Sequence, residues 1–198
     1  MNAAPHVMPP LRIYHSDKSV FLMQRYLFSS LSQSVSTRPF LTMVEKIWIA
    51  WQILRGVEQV HALGLCHGNI RPSNVLLTSW HWVFLVDHAP YKPTFLPPDD
   101  PADFSMLFDT DGRRSAYLAP ERFVDGGAAA RGEPAWEQLT PAMDIFSAGC
   151  TIAELFLDGQ PLFTYSKVSC VFGGELELGA GISCVDDWCA LTKNAELL

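Results

Sequence analysis

The sequence predicts an α+β fold, and three observations support that prediction. Two pairs of short apolar runs, each pair joined by a polar turn, indicate β-hairpins. Thr42 and Glu45 have the T-x-x-E spacing of a capping box, which starts a helix that Gly64 ends. A second helix is apolar on nearly every side and is predicted to be buried. The predicted strands are residues 11–14, 20–26, 75–77 and 83–86, and the predicted helices are residues 42–63 and 141–157.

The two helices differ in how their apolar residues are arranged. In the first helix these residues recur three or four positions apart, so one face is apolar and is predicted to be core. In the second helix little polar surface remains. The stripe of the first helix is Val44, Ile47, Trp51, Leu54 and Val57, and the apolar residues of the second are Ile145, Phe146, Ala148, Ile152, Ala153 and Phe156.

Three stretches of the chain lack a clear period. Residues 29–38 are rich in serine and are predicted to be a short helix or a linker. Residues 88–119 are rich in proline and aspartate, and a loop of this length inside a compact domain is usually functional or disordered. From Tyr165 onwards glycines are scattered without periodicity, so no structure is predicted there.

Composition and charge argue against several classes of function. A net charge of -7 disfavours a nucleic-acid groove or a polybasic membrane patch. The apolar run at residues 145–157 is too short for a transmembrane segment and contains Glu154. Five cysteines and no signal peptide indicate a reducing compartment. The three cysteines near the end of the chain fit no zinc spacing; they are Cys170, Cys184 and Cys189.

Two short peptides resemble the catalytic loop and the metal-binding corner of protein kinases. They are C-H-G-N-I-R-P-S-N at residues 66–74 and V-D-H-A at residues 86–89. The kinase patterns at these places are H-R-D-L-x-x-x-N and D-F-G. The matching residues are His67, Asn74 and Asp87, and the departing residues are Gly68, Asn69, His88 and Ala89.

The resemblance assigns chemical roles to the matching residues. Asn74 and Asp87 supply the amide and the carboxylate that hold Mg²⁺ for ATP. Asn69 stands where kinases have the carboxylate that accepts the substrate's proton. An amide takes up no proton at ordinary pH, and loss of a general base typically lowers a rate by about 10²–10⁴. We expect Asn69 to hold the loop by hydrogen bonds. Arg71 replaces the lysine that steadies the transferred phosphate, and the alternative is a solvated surface arginine.

The departing residues change how the site is supported. Gly68 replaces the arginine that in many kinases docks a phosphorylated activation segment, here residues 87–121. Ser115 follows two arginines and is a candidate for phosphorylation, but it lacks that docking partner, so we expect an ordinary loop serine. His67 and His88 are expected to pack against each other as core or near-core histidines, in place of a His–Phe contact.

Two further residues mark the lower lobe of a kinase. Glu121 ends an A-P-E peptide and usually pairs with a late arginine. No arginine follows Arg131, so Glu121 is expected to find another partner or to stay solvated. Asp144 matches the helix that supports the catalytic loop from below, and its expected role is structural.

The glycine-rich loop and the ATP-binding lysine of the kinase upper lobe are not found before the linker. The resemblance therefore divides the chain into three parts. Residues 1–28 are predicted to be a remnant of the upper lobe and hinge, residues 29–164 the lower lobe, and residues 165–198 a divergent, poorly ordered tail.

Several longer peptides are similar to one family, the protein-kinase-like regulatory subunit of the class III phosphatidylinositol 3-kinase complex. The similarity covers roughly residues 10–164, and kinases at large do not share these peptides. The peptides include S-T-R-P-F-L at 36–41, L-T-S-W-H-W at 77–82, K-P-T-F-L-P at 92–97 and D-P-A-D-F-S at 100–105.

This resemblance implies a protein-kinase-like fold, mostly the helical lower lobe, that acts in endosomal sorting and autophagy. The implied partners are the lipid kinase catalytic subunit and its regulatory partners, with no nucleic acid and no transmembrane segment. The implied location is cytoplasmic, peripheral to endosomal and autophagic membranes. ATP and Mg²⁺ are the implied cofactors, although the short upper lobe weakens that expectation.

Three functions are open at this point. The first is a degenerate kinase scaffold, favoured by Asn69 and the short upper lobe. The second is an active ATP-dependent serine/threonine kinase, favoured by Asn74 and Asp87. The third is a non-functional truncated product, such as an incomplete gene model that diverges near Tyr165.

Overall fold

The computed structural model describes residues 4–89, 92–96, 101–109, 112–113, 115, 117–123 and 138–163. Helices and short antiparallel strands make an α+β fold, which confirms the predicted class. The strands are β1 (Arg12–His15), β2 (Val20–Met23), β3 (Ser29–Ser30), β4 (Val75–Leu77) and β5 (Val83–Leu85). The helices are α1 (Leu31–Ser36), α2 (Met43–Ala62), α3 (Pro101–Leu107) and α4 (Pro141–Phe156). The predicted tail and its three cysteines lie outside the described residues.

The strands form two separate antiparallel sheets. In the first sheet β1 pairs with β2, with Arg12 opposite Met23, and every residue of both strands is exposed. In the second sheet the order is β3-β4-β5, with Val75 opposite Leu85. Both predicted hairpins are confirmed, although β2 ends at Met23, earlier than the sequence suggested.

Capping boxes begin the first two helices. At α2 the Thr42 Oγ1 accepts a hydrogen bond from the Glu45 N–H at 3.4 Å, and Glu45 Oε2 accepts one from the Thr42 N–H at 2.7 Å, as predicted. Ser30 and Gln33 form a second box at α1, so the expected helix or linker contains a short helix. Gly64 follows α2 with a φ of +71°, a conformation that ends helices.

The main core lies between α2, the β4–β5 hairpin and α4. From α2, Ile49 and Ile53 are fully buried at 0% exposure. They pack with Leu85 of β5 and with Ala148 and Leu155 of α4. Burial of each large aliphatic side chain stabilises the fold by about 1.5–3 kcal/mol, so this contact fixes the position of α2 against the catalytic loop that follows it.

The predicted core stripe of α2 is wrong at most of its positions. Of its five residues only Val57 is buried, and Val44 is 76% exposed. The other exposed residues of the stripe are Ile47, Trp51 and Leu54. The outer face of α2 is therefore apolar as well as the inner face, and apolar periodicity alone does not distinguish them.

A polar residue and a glycine mark the true inner face of α2. Gln52 is fully buried, and its Oε1 accepts a hydrogen bond from the Val83 N–H at 3.1 Å while its Nε2 donates to the His81 carbonyl at 2.8 Å. At Gly56 a Cβ atom would lie 2.9 Å from Leu85 Cδ1, so the helix approaches β5 closely. Neither residue contributes an apolar signal, which is why the periodicity pointed to the wrong face.

The prediction of a buried second helix is correct for Ala148 and wrong for two residues of α4. Ile145 is 51% exposed and Phe156 is 38% exposed. The inner face instead contains polar residues, including Asp144 and Glu154, which are at most 2% exposed. None of the helices in the described residues is long and apolar enough to cross a membrane.

The long segment at residues 88–119, expected to be a loop, is helical over α3. Phe104 of α3 and Phe108, which follows it, belong to a second apolar cluster with Leu96, Leu118 and Phe123. This cluster packs described parts of the segment against one another, and Phe163, which follows α4, packs against it.

The corrected inner face of α2 leads to a stability prediction. Ile53→Ala is expected to lower the free energy of unfolding by about 2–5 kcal/mol because it leaves a cavity in the core. Leu54→Ala, at the neighbouring exposed position, is expected to lower it by less than about 1 kcal/mol. Urea unfolding of the two variants measures both values, and equal losses would contradict the described orientation of the helix.

Candidate functional site

Asp144 holds the catalytic loop from below. Its carboxylate is 1% exposed and accepts hydrogen bonds from the backbone N–H groups of His67 at 2.6 Å and Gly68 at 2.8 Å. His61 Nε2 lies 3.0 Å from Asp144 Oδ2. The carboxylate sits in the first turn of α4, where the helix dipole favours a negative charge. The structure thus places Asp144 where the resemblance expected a supporting residue.

Three polar side chains from the two kinase-like peptides meet above this support. Asn69 Nδ2 donates a hydrogen bond to Asp87 Oδ2 at 2.7 Å. Asn74 Nδ2 donates to the Asn69 carbonyl at 2.8 Å and lies 3.4 Å from the same Asp87 oxygen. Asn69 and Asn74 are buried, while Asp87 is exposed to solvent. The amide of Asn69 therefore acts as a donor to the carboxylate beside it.

Lys92 is a part of the site that sequence reasoning missed. Its Nζ lies 3.7 Å from Asp87 Oδ2, and its side chain is only 10% exposed. Burial lowers the pKa of this ammonium, and the neighbouring Asp87 opposes that effect. The ammonium also lies 5.1 Å from the centre of the Phe108 ring, a cation–π contact. A lysine inside a loop has no spacing signal, so only the K-P-T-F-L-P peptide pointed to this position.

The chemistry of Asp87 and Asn74 fits a magnesium ion. Mg²⁺ prefers oxygen ligands and is usually bound through one or two carboxylates with several waters. Asp87 supplies a carboxylate, and the amide of Asn74 carries an oxygen on the same carbon as the nitrogen that now faces Asp87. These two residues would hold the ion, which would neutralise phosphate charge. Lys92 and the ion would compete for the same carboxylate.

Arg71 is partly buried, and its guanidinium donates to the carbonyl of Phe108 at the end of α3. The alternative of a solvated surface arginine is therefore wrong. Its expected role toward a phosphate stays a prediction. Asn69, Arg71, Ser115 and Tyr117 line a small cavity.

The two histidines of the site stack as expected, with ring centres 4.2 Å apart and planes inclined by 30°. Burial, followed by the neighbouring His88, lowers the pKa of His67 to about 3. Burial also lowers the pKa of His88. Among the described residues neither Nε2 atom has a hydrogen-bond partner. The pair is neutral at physiological pH and serves as packing.

The end of the activation segment carries one predicted and one unpredicted residue. Glu121 is exposed, and its partner stays a prediction. Its neighbour Arg122 is 1% exposed and was not singled out from the sequence. Ser115 is partly buried.

The buried histidine leads to a prediction on acid stability. The unfolded chain protonates His67 near pH 6.5, and the folded chain does so only near pH 3. The stabilising contribution is therefore present above pH 6.5 and falls as the pH drops through this window, by up to about 1.4 kcal/mol per pH unit. His67→Phe is expected to flatten the pH dependence of urea unfolding between pH 6 and 4.

His15→Phe is the matched control, because His15 is exposed on β1. This variant is expected to keep the wild-type slope. An unchanged slope in His67→Phe would show that His67 is not buried in the neutral form.

Comparison with known proteins agrees with the geometry. The family model for the protein kinase domain matches residues 1–174. The serine/threonine-protein kinase VPS15 of Arabidopsis thaliana is 52% identical over 167 residues, 83% of this chain. The probable serine/threonine-protein kinase vps15 of Dictyostelium discoideum is 50% identical over 170 residues, 86% of this chain. The Schizosaccharomyces pombe relative, also a serine/threonine-protein kinase vps15, is 43% identical over 184 residues, 92% of this chain.

The matched regions are small parts of these relatives, 11%, 8% and 10% of their lengths respectively. The likeness therefore concerns their kinase-like part. The chain belongs to the protein kinase domain family, among the relatives that carry the name VPS15.

Proposed function

We propose that this chain is the degenerate kinase-like domain of a regulatory subunit in a class III phosphatidylinositol 3-kinase complex. In this role it acts as a scaffold in endosomal sorting and autophagy, and it does not turn over phosphate. The observation that carries the proposal is the hydrogen bond from Asn69 Nδ2 to Asp87 Oδ2 at 2.7 Å. The residue in the place of the general base is thereby a hydrogen-bond donor.

This hydrogen bond opposes catalysis in two ways. A neutral amide cannot accept the proton of a substrate hydroxyl, so one contribution to phosphoryl transfer is missing. The amide also faces Asp87, so its donor group is already in use within the protein.

The charge of Asp87 is balanced without a metal ion. Lys92 lies 3.7 Å from its carboxylate, and the amides of Asn69 and Asn74 point toward the same oxygen. A site that is already neutral and hydrogen-bonded is a stable part of the fold. This supports a structural role for residues that in active kinases bind the metal.

A second candidate function is an active ATP-dependent serine/threonine kinase. The 3.4 Å separation of Asn74 Nδ2 and Asp87 Oδ2 favours it, because these two groups suit Mg²⁺. Arg71 keeps a positive charge near the same loop. A thermal shift on adding ATP and Mg²⁺ would support nucleotide binding, and no shift would leave this candidate without support.

The proposed partner is the lipid kinase catalytic subunit of the complex, with its regulatory partners. The proposed location is cytoplasmic, at the surface of endosomal and autophagic membranes. The names of the relatives state only a serine/threonine-protein kinase. A pull-down of the full-length gene product, probed for the lipid kinase catalytic subunit, tests this part of the proposal, and failure to recover that subunit would oppose it.

Phosphate transfer provides the direct prediction for the domain. The purified chain, with radiolabelled ATP and Mg²⁺ and a generic peptide or protein acceptor, is expected to transfer no more label than Asp87→Ala. The physical reason is the absence of a proton acceptor at Asn69. Transfer that clearly exceeds background and is lost in Asp87→Ala would refute the scaffold proposal and support the active kinase.

Lys92 provides a prediction on metal binding. Lys92→Met removes the competing ammonium and is expected to tighten Mg²⁺ binding about tenfold, equivalent to roughly 1.4 kcal/mol. Titration calorimetry with Mg²⁺ measures the change. Lys46→Met is the matched control, since Lys46 pairs with Asp158 far from the site and should leave Mg²⁺ affinity unchanged. Equal affinities in wild type and Lys92→Met would mean that Lys92 does not neutralise Asp87.

A further inference from the structure

Arg122 carries a positive charge in the interior of the domain. It ends the short 3-10 turn at Pro120–Arg122 and is 1% exposed. A buried guanidinium is costly unless its donors are satisfied. Burial lowers the pKa of Arg122 to about 10, so the group is still charged at neutral pH. Such a group is retained only where its hydrogen bonds stabilise a particular arrangement.

The donors of Arg122 join two distant segments of backbone. Nη1 donates to the Gly68 carbonyl in the catalytic loop at 2.9 Å. Nε donates to the Thr94 carbonyl at 2.8 Å, and Nη2 donates to the Pro93 carbonyl at 3.0 Å. The flat guanidinium thus bridges the catalytic loop and the early activation segment, a geometry that a single ammonium cannot reproduce.

Further contacts hold Arg122 against residues 92–96 and Phe108. The Leu96 N–H donates to the Arg122 carbonyl at 2.8 Å, so residues 92–96 contact both the side chain and the backbone of Arg122. The guanidinium carbon lies 4.9 Å from the centre of the Phe108 ring. Residues 93 and 94 directly follow Lys92, which faces Asp87. Arg122 therefore contacts the backbone of the two residues that follow Lys92.

Position 68 of the catalytic loop does not supply this cation. Gly68 has a φ of +73°, and a Cβ atom there would lie 2.6 Å from Leu139 Cδ1. A side chain at position 68 would have to adopt this left-handed backbone conformation, and the Leu139 side chain would have to move. Arg71 of the catalytic loop reaches the activation segment at the Phe108 carbonyl, whereas Arg122 joins the Pro93 and Thr94 carbonyls to the Gly68 carbonyl.

We propose that Arg122 is a positioning residue that fastens residues 92–96 to the catalytic loop without any phosphate on the activation segment. The three carbonyl contacts hold residues 92–96 against the catalytic loop, as a phosphate–arginine contact would otherwise do. The arrangement around Asp87 is then a constant feature of the fold and is not switched by phosphorylation. This inference rests on the hydrogen bonds of Arg122 and stands whether or not the domain transfers phosphate.

Amide hydrogen exchange measured by NMR tests this role. In Arg122→Lys and Arg122→Met, the Leu96 amide is expected to exchange at least about tenfold faster than in the wild type. The Ala89 amide, which donates to the His67 carbonyl, is also expected to exchange faster. The Ile53 amide in α2 should keep its wild-type rate. Arg122→Lys is not expected to restore slow exchange of the Leu96 amide, because one ammonium cannot donate to carbonyls on two segments.

Arg113→Lys is the matched control. Arg113 belongs to the same segment but pairs with Glu154 of α4 at 2.8 Å, so this variant should leave Leu96 exchange unchanged. Faster exchange spread equally over α2 in the Arg122 variants would show a general core role and would overturn the proposal. Unchanged Leu96 exchange in folded Arg122 variants would do the same.

A second arm uses the wild-type chain and does not depend on whether the variants fold. Protein expressed in a eukaryotic host is compared before and after phosphatase treatment, with phosphate content checked by mass spectrometry. The proposal predicts the same slow Leu96 exchange in both samples and in Ser115→Ala. Exchange that becomes at least tenfold faster after phosphate removal would overturn it.

Discussion

The buried carboxylate of Asp144 is the contact on which the rest of the site depends. It accepts two consecutive backbone N–H groups, those of His67 and Gly68, and so fixes the start of the catalytic loop. A buried charge is tolerated because these donors, with His61, satisfy it. With the loop held in this way, Asn69 is directed toward Asp87. The shape of the site is thus determined from beneath, by α4.

Next to the loop that Asp144 holds, the charge of Asp87 is balanced by groups of the protein itself. The negative charge of Asp87 meets Lys92 and the amides of Asn69 and Asn74. Phosphoryl transfer needs charged groups that are free to stabilise the reacting phosphate and a base for the acceptor. Here the same groups bind one another, and the Phe108 ring contacts both Lys92 and Arg122. The proposed scaffold role rests on this internal balance of charges.

The sequence predicted α2, α4 and both hairpins, but it did not predict α3, β3 or most contacts of the candidate site. The capping box of α2 and both hairpins could be predicted because each depends on local chemistry. The inner face of α2 could not, since Gln52 and Gly56 are buried for tertiary reasons that apolar spacing does not reflect. The pairing of His67 with His88 followed from the motif positions. Arg122 was missed because it acts across a long sequence separation, and Lys92 was missed because a lysine inside a loop has no spacing signal.

The central claim is that the amide of Asn69 is a hydrogen-bond donor to Asp87, and NMR of the Asn69 side chain tests it most directly. The account predicts one slowly exchanging, downfield Nδ2 proton that shifts upfield and exchanges faster in Asp87→Asn. A side-chain amide that exchanges freely with water and does not respond to Asp87→Asn would contradict the account, because Asn69 would then be free to contact a substrate.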